Sequence, residues 1–465
     1  MRIPLAGDTI VALSTAPGTG AIAVVRLSGP RAITTADSLF QTSRKEVVLR
    51  DAPGHTAHFG KIMDGEEVLD EVVLTLFRAP HSYTGEDVVE ISCHGSLYIQ
   101  QRMLEVMLNR GLRLADPGEF TLRAFRNGKM DLSQAEAVAD LIAAQSRAAH
   151  DLALKQMRGG YSGRIAGLRR QLVDFTALIE LELDFSEEDV NFADRSTLLR
   201  TVGELKEAIG ALRDSFAMGN VLKRGIPVAI VGKPNVGKST LLNALLNEEK
   251  AIVSEIPGTT RDAIEDTIVI EGIPFRFIDT AGLRETSDRI ETLGIERTLD
   301  KIGQASIVLC VFDISTTPWE EIEEMHTLCA GALHLEQKKV ILVGNKTDLL
   351  METPSHFRDL VEWETVFVSA KRRENIHLLA ETLLRAVDRH GLQDGSLVSN
   401  SRHFEAFGKA AEALERVDRG LHQEISSDLV TTDLRDALYH LGTITGEVTT
   451  DEILESIFSR FCIGK

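Results

Sequence analysis

Residues 228–242 read Val228-Ala229-Ile230-Val231-Gly232-Lys233-Pro234-Asn235-Val236-Gly237-Lys238-Ser239-Thr240-Leu241-Leu242. A short apolar run of strand type meets a G-x-x-x-x-G-K-S loop, which opens a run of helix type. A phosphate loop needs that order. Its glycines let backbone N–H groups turn inward around an anion, and Lys238 adds a point charge on the β/γ oxygens. The Ser239 hydroxyl suits Mg²⁺, and the helix N-terminus that follows favours negative charge.

Outward from this loop, residues 223–388 alternate strand and helix patterns. Val228–Val231, Ile307–Phe312, Val340–Val343 and Val366–Ser369 read as short buried strands, which predicts a parallel sheet with crossover helices. Asn345-Lys346-Thr347-Asp348 follows the third of these. A carboxylate at Asp348 accepts from both the N1–H and the 2-amino group of guanine, whereas adenine presents no such pair, so the base is guanine. Ser369-Ala370-Lys371, after the next strand, would close over that base. Asp279-Thr280-Ala281-Gly282 ends the run Phe275–Ile278. There Asp279 can hold Mg²⁺ through water and the Gly282 N–H can bond a γ-phosphate. Gly258-Thr259-Thr260-Arg261-Asp262 supplies a hydroxyl that senses the same groups. Together these are the parts of an order–disorder switch, and the set resembles the small-GTPase-like G domain of translation-factor-class GTPases. Leu283 stands where many such GTPases carry the glutamine that orients water,. Another group must therefore act, and Glu285, Asp288 and Glu291 follow in the same segment. Arg261 and Arg284, or a monovalent cation held by the Asn235 side-chain oxygen, could neutralise transition-state charge.

The whole chain has 465 residues, 43% of them apolar, and a net charge of −19. These are globular values that suggest two to four domains. The acidity excludes a chain coated in basic charge for phosphate backbones but leaves room for local basic patches. Polar residues break every apolar run far short of the ~20 that span a bilayer. The start is unlike a signal peptide. Cys93, Cys310, Cys329 and Cys462 are scattered, without a CxxC pair, which argues against a zinc site or a disulfide framework and fits a reducing cytosol,.

The first ~117 residues carry β-rich runs at Thr9–Leu13, Ala21–Leu27, Val72–Phe77 and Val88–Ser92, then a helical run Leu97–Asn109, and predict a separate α+β unit. No proline occurs between Gly118 and Ile226, or after Pro354, so these stretches read as helical,. Ser133/Glu136 and Thr449/Glu452 have capping-box spacing. Val138, Leu141, Gln145, Ala148 and Leu152 step along one helical face; Leu168, Leu172, Phe175 and Ile179 do the same, as do Phe404, Phe407, Ala411 and Leu414, and Ile453, Ile457 and Phe461. All read as core stripes. His55-x-x-His58 has metal-like spacing but reads as a structural, glycine-flanked loop. Cys462 is fourth from the end, yet Gly464 and Lys465 do not suit a prenylation box.

Beyond the G motifs, Arg26-Leu-Ser-Gly, Tyr83-Thr-Gly-Glu-Asp-Val-Val-Glu90, Pro117-Gly-Glu-Phe, Asp131-Leu-Ser-Gln-Ala-Glu-Ala, Asp279-Thr-Ala-Gly-Leu-Arg-Glu and the terminal Phe461-Cys-Ile-Gly-Lys resemble the tRNA-modification GTPase MnmE (TrmE) family over the whole chain. The resemblance implies a multidomain α/β and α+β protein. An N-terminal α+β domain (1–120) would dimerise and bind tetrahydrofolate. A helical domain (121–222 and 389–465) would be interrupted by an inserted P-loop GTPase domain (223–388) with a Ras-like parallel sheet. It implies a cytoplasmic homodimer, with no membrane partner, that works with the flavoprotein MnmG, as a heterotetramer or larger, on the wobble uridine of tRNA. The cofactors implied are GTP, Mg²⁺, K⁺ and a 5-formyl- or 5,10-methylene-tetrahydrofolate.

Carried over by position, the GTP contacts would be Asn235, Val236, Gly237, Lys238, Ser239 and Thr240; Ser254, Glu255, Ile256, Pro257, Gly258, Thr259 and Thr260; Asp279, Thr280, Ala281 and Gly282; Asn345, Lys346, Thr347 and Asp348; and Ser369 and Ala370. Potassium would take Asn235, Ser254, Ile256 and Thr259, and magnesium Ser239 and Thr260. Glu291 would orient water, and Arg26, Glu90, Lys129 and Lys465 would hold the folate. The competing reading is a GTP-dependent ribosome-assembly factor whose flanks are docking modules.

Overall fold

The computed structural model describes residues 7–42, 48–184, 195–247, 251–253, 266–278, 303–331, 339–350, 363–387, 397–423 and 425–464. They form two compact units. One holds the described residues of Met1–Ala139, Met157–Ala177 and Arg435–Lys465, the other those of Asp140–Gln156 and Leu178–Leu434. Each unit has its own seven-stranded sheet.

In the first unit the strands are β1 (Ile10–Leu13), β2 (Ile22–Ser28), β3 (Phe40–Thr42), β4 (Thr56–Asp64), β5 (Glu67–Phe77), β6 (Val88–His94) and β7 (Arg113–Leu114), in the order β3-β4-β5-β6-β2-β1-β7. Only the β1–β7 pair is parallel. Side chains alternate across a strand. Val25 and Leu27, Val89 and Ile91, and Leu74 and Leu76 therefore point to one face, where Ala36 and Leu39 of the helix Ala32–Leu39 and Met103 and Met107 of the helix Leu97–Asn109 join the core. The residues between them fall on the opposite face, where Arg26 on β2 stands in register with Glu90 on β6.

The four predicted strands and the Leu97–Asn109 helix are present, but the short β3 and β7 and the long β4 were not foreseen. The outer positions of β4 are half-exposed and Gly60 interrupts its pattern; a Cβ there would lie 2.4 Å from the Gln41 carbonyl oxygen. His58 therefore sits in a strand rather than a loop, its Nε2 2.9 Å from Thr56 Oγ1. Among the described residues no group of three or more His, Cys, Asp or Glu side chains could hold a metal.

Apart from one short strand, Thr365–Phe367, the described parts of the proline-free stretches are mainly helical, with Leu132–Ala143, Arg147–Met157, Ser162–Asp184, Arg195–Asp214, Phe216–Arg224, Ser401–His422, Ser427–Thr445 and Asp451–Phe458 among their helices. Their details correct the pattern reading. The Val138–Leu152 stripe spans two helices, because the chain breaks after Ala143 and restarts where Ser146 Oγ accepts from Ala149 N at 3.1 Å. The first capping box lies two residues earlier than expected. Asp131 Oδ1 accepts from Gln134 N at 2.8 Å while Gln134 Oε1 accepts from Asp131 N at 2.9 Å, so the pair is Asp131/Gln134, an Asp-x-x-Gln version of the same reciprocal bond. Thr450, not Thr449, caps the last helix through Ile453 N. On Ser401–His422 the buried stripe runs through His403, Phe407, Ala410, Leu414 and Val417, which leaves Phe404 at its rim. In the first unit, Leu454, Ile457, Phe458 and Phe461 pack with Leu122 and Leu132.

In the second unit the strands are β8 (Ile226–Val231), β9 (Ala251–Val253), β10 (Asp266–Ile270), β11 (Ile273–Phe277), β12 (Ile307–Asp313), β13 (Lys339–Asn345) and β14 (Thr365–Phe367), in the order β14-β13-β12-β8-β11-β10-β9. Five are parallel, from β11 through β8, β12 and β13 to β14. β10 runs antiparallel to both of its neighbours, which makes one edge mixed. β12 is buried along its whole length, as expected of a strand covered on both faces,. Because β8, β12 and β13 run the same way, Val231, Asp313 and Asn345 end at one edge of the sheet, where ligands of open α/β sheets bind. The helices Arg195–Asp214 and Ser401–His422 pack on each other and are joined by Lys206 Nζ and Asp418 Oδ2 at 2.8 Å. No helix among the described residues is long and apolar enough to cross a membrane.

Candidate functional site

β8 ends at Val231, and residues 232–237 turn the chain into the helix Lys238–Leu246. Two glycines are dictated by space. At Gly232 a Cβ would fall 2.1 Å from the Val311 carbonyl oxygen. At Gly237, left-handed at φ +97°, it would fall 2.3 Å from Asn345 Nδ2. Asn235, at the apex, is also left-handed, at φ 64°. Lys238 Nζ donates to the carbonyl oxygens of Gly232 and Lys233, each at 2.7 Å, and so reaches back across its own loop. Ser239 lies half-buried in the first helical turn. Its hydroxyl there, and the Asn235 amide oxygen on the loop, are oxygen donors of the kind that hard cations bind.

Asn345 organises the rest. It is 2% exposed. Its Nδ2 donates to the Val236 carbonyl at 2.8 Å, and its Oδ1 accepts from Ala370 N at 3.0 Å. One amide thus ties the phosphate loop to the loop after β14. Lys346 is left-handed at φ 68° and its Nζ pairs with Asp313 Oδ2 at 2.7 Å. Asp313 also accepts from Ser315 N and Oγ. Burial pushes the Asp313 carboxyl up, but the bonds from Lys346 and Ser315 outweigh it and hold the group below the usual carboxylate range,. Asp348 Oδ1 accepts from Ser369 Oγ at 2.6 Å. That bond, with Arg372 and Lys371 nearby, lowers its carboxyl as well. Asp348 is therefore an ionised, acceptor-only group, the chemistry that the guanine edge with its two donors requires.

A second constellation lies on the outer face of the first unit's sheet. Arg26 Nε and Nη2 both meet Glu90 Oε1, at 2.8 and 2.7 Å, and Nη1 donates to the Gly464 carbonyl at 3.3 Å. The guanidinium lies 5.7 and 5.6 Å from the Tyr83 and Phe120 ring centroids, within cation–π range. Tyr83 is fixed by its hydroxyl, 2.9 Å from Thr121 Oγ1. The C-terminal tail is pinned here: Ser14 Oγ donates to the Gly464 carbonyl, Gly118 N donates to that of Cys462, and a Cβ on Gly464 would fall 2.3 Å from the Leu13 carbonyl oxygen. Lys129 Nζ donates to the Pro80 carbonyl at 2.9 Å. Behind the site, Arg113 and Arg123 bind Asp8 and Glu119, and Arg123 also binds Glu86. Burial opposes ionisation of Asp8 and Glu119, yet the two guanidiniums hold both carboxyls below their ordinary range.

Residues 9–129 match the model described as the GTP-binding protein TrmE N-terminus, and residues 132–462 match the MnmE helical domain. Proteins called tRNA modification GTPase MnmE align along almost the whole chain. The one from Bacteroides fragilis is 53% identical over 98% of this chain and 99% of its own length. That from Flavobacterium psychrophilum is 51% identical with the same coverage. This chain belongs to the MnmE family. Among solved structures, the G domain of the T. maritima FeoB iron transporter is 28% identical, and the match covers 35% of this chain and 99% of that one, with a TM-score of 0.25.

Of the GTP contacts expected from the family, Asn235–Thr240, Asn345–Asp348, Ser369 and Ala370 lie along one edge of the sheet, and direct bonds link Val236, Asn345, Ala370, Asp348 and Ser369. Ser254, Glu255, Ile256, Pro257, Gly258, Thr259, Thr260, Asp279, Thr280, Ala281, Gly282, Glu291 and Lys465 lie outside the described residues. Arg26 and Glu90 are in direct contact, and Lys129 borders the loop that carries Tyr83. The pattern reading missed Asp313, Tyr83 as a partner of Arg26, and the Gly464 carbonyl. Asp313 had a signal, an acidic residue closing a buried apolar strand. The Gly464 carbonyl had none, since a backbone oxygen leaves no mark in side-chain patterns.

Proposed function

We propose that this chain is a potassium-stimulated GTPase that, with the flavoprotein MnmG, modifies C5 of the wobble uridine of certain tRNAs, using a one-carbon unit from methylene-tetrahydrofolate. The observation that supports it most is the double bond of Asn345 to Val236 and Ala370. It gathers the phosphate loop, the guanine-reading Asp348 and the Ser369 loop into one cradle, in a chain of the MnmE family. In this reading Ser239 and Thr260 hold Mg²⁺, and Asn235, Ser254, Ile256 and Thr259 hold K⁺. Bound there, the two cations offset charge on the phosphates. Glu291 orients the water that Leu283 cannot, and Arg26, Glu90, Lys129 and Lys465 hold the folate. Glu90 suits the donor edge of a pterin and the lysines suit carboxylates. The N-terminal, split helical and inserted GTPase domains, the homodimer, and the cytoplasmic location belong to the same proposal.

Mass spectrometry of wobble uridines from cells lacking the gene tests it. Loss of the C5 modification is expected, and an unchanged profile overturns the reading. In vitro, Glu291→Ala should bind GTP but lose nearly all hydrolysis, and exchanging potassium for sodium should slow the wild type. With a net charge of −19, tRNA should bind this chain alone only weakly and with strong salt dependence.

A further inference from the structure

Cys310 lies in β12 and Cys329 in the helix Trp319–Gly331, which packs on β12 and β13. Both are fully buried and their sulfurs are 2.8 Å apart. No other described cysteines are paired: the Cys93 thiol donates to the Ala23 carbonyl at 3.5 Å, and Cys462 is exposed. The pair sits in an apolar cluster with Val308, Phe312, Ile322 and Leu342, and neither sulfur serves the nucleotide cradle. A disulfide needs its two sulfurs at about 2.05 Å. A strand and a helix packed together already hold the two sulfurs near that distance. Donation to Cys329 Sγ, with burial, pushes the Cys310 thiol well up. Cys329, which accepts that bond, is lowered and is the sulfur that ionises first, as the attacking thiolate must.

We propose that Cys310 and Cys329 form a redox-modification site, at which a hydroperoxide converts the buried dithiol to a disulfide that staples β12 to the helix Trp319–Gly331. The Cys329 thiolate attacks one peroxide oxygen, the O–O bond breaks, and the departing hydroxide takes up a proton as water. Cys329 is left as a sulfenic acid. The Cys310 sulfur then attacks Cys329 Sγ, and its proton leaves with the sulfenic hydroxyl as a second water. Two thiols are oxidised and one peroxide is reduced to two waters. The staple acts on the strand whose last residue, Asp313, holds Lys346 of the guanine-reading loop.

The test uses the full-length protein: hydrogen peroxide, removal of excess, unfolding in an alkylating agent, digestion and mass mapping. A Cys310–Cys329 linked peptide is expected, lighter by two hydrogens and separated by a reductant, with Cys93 recovered alkylated. The oxidised protein should unfold a few degrees higher, as closing a loop of this length predicts; reduction should reverse the shift, and Cys329→Ala should not show it. Recovery of Cys310 and Cys329 both alkylated, a sulfinic acid without a link, or links to Cys93 or Cys462 instead would overturn the proposal. So would a linked protein with an unchanged melting temperature. The mapping needs no variant, so misfolding of Cys329→Ala leaves the test intact.

Discussion

The nucleotide cradle and the Arg26–Glu90 site are both built where sheet positions converge, yet they are assembled differently. The cradle is mostly backbone: glycine-rich turns, a helix N-terminus, and loops at the ends of parallel strands. Its parts sit in contiguous motifs, and a single buried amide, Asn345, locks them together. The N-terminal site is mostly side chain. Arg26 and Glu90 come from neighbouring antiparallel strands, and the group that completes them, the Gly464 carbonyl, lies 438 positions away. Backbone-built sites tolerate little substitution at their glycines. Side-chain-built sites can be dismantled one group at a time.

Substitutions can break or sharpen this contrast. The largest effect is expected at Asp348→Asn, which replaces an acceptor-only carboxylate by an amide facing the guanine donors. GDP affinity should fall by about 10³-fold in a fluorescence titration, and an unchanged affinity would remove Asp348 from base recognition. Asn345→Ala should cost about 10–100-fold, because it unties the two loops that its amide joins,. If it cost nothing, the cradle would not depend on that lock. In the other site, Arg26→Ala should weaken formyl-tetrahydrofolate binding by about tenfold in equilibrium dialysis and leave GDP binding unmoved; a matching loss of GDP affinity would mean that the two sites are not separable. Gly464→Ala should lower folate affinity by a smaller factor, about threefold, since the tail must shift away from Leu13. The smallest effect concerns pH. Lys346 depresses the Asp313 carboxyl in the folded state. Its stabilising contribution is therefore present above the ordinary carboxylate range, about pH 4, and is lost as pH falls below that range. Lys346→Met should be less stable than the wild type by about 1 kcal/mol at neutral pH, and the two thermal curves should converge below about pH 3. A constant gap would assign the loss to packing.

How much of this was legible depended on range. Four of the seven N-terminal strands, the helix Leu97–Asn109 and the largely helical nature of the proline-free stretches followed from local pattern. Where the reading slipped, neighbouring residues competed for one role. Asp131/Gln134 and Ser133/Glu136 both have the spacing of a capping box, and only the reciprocal bonds of the first pair decide between them. β4 escaped notice because a strand with half-exposed positions, interrupted by Gly60, carries little apolar alternation. The stripe from Val138 to Leu152 looked continuous because spacing alone does not show that one helix stops at Ala143 and the next starts at Arg147, with Gln145 exposed between them.

The sequence by itself determined the GTPase motifs and the family, because a phosphate is held by consecutive backbone N–H groups and such a loop must be written contiguously. The tertiary structure alone decided that Arg26 is engaged by Glu90 and the C-terminal tail, that Asp313 holds Lys346, and that two scattered cysteines share one pocket of core. Those contacts join residues with no fixed spacing along the chain. They exist only where sheet register and helix packing bring side chains within a few ångströms, and one-dimensional pattern has no term for that proximity.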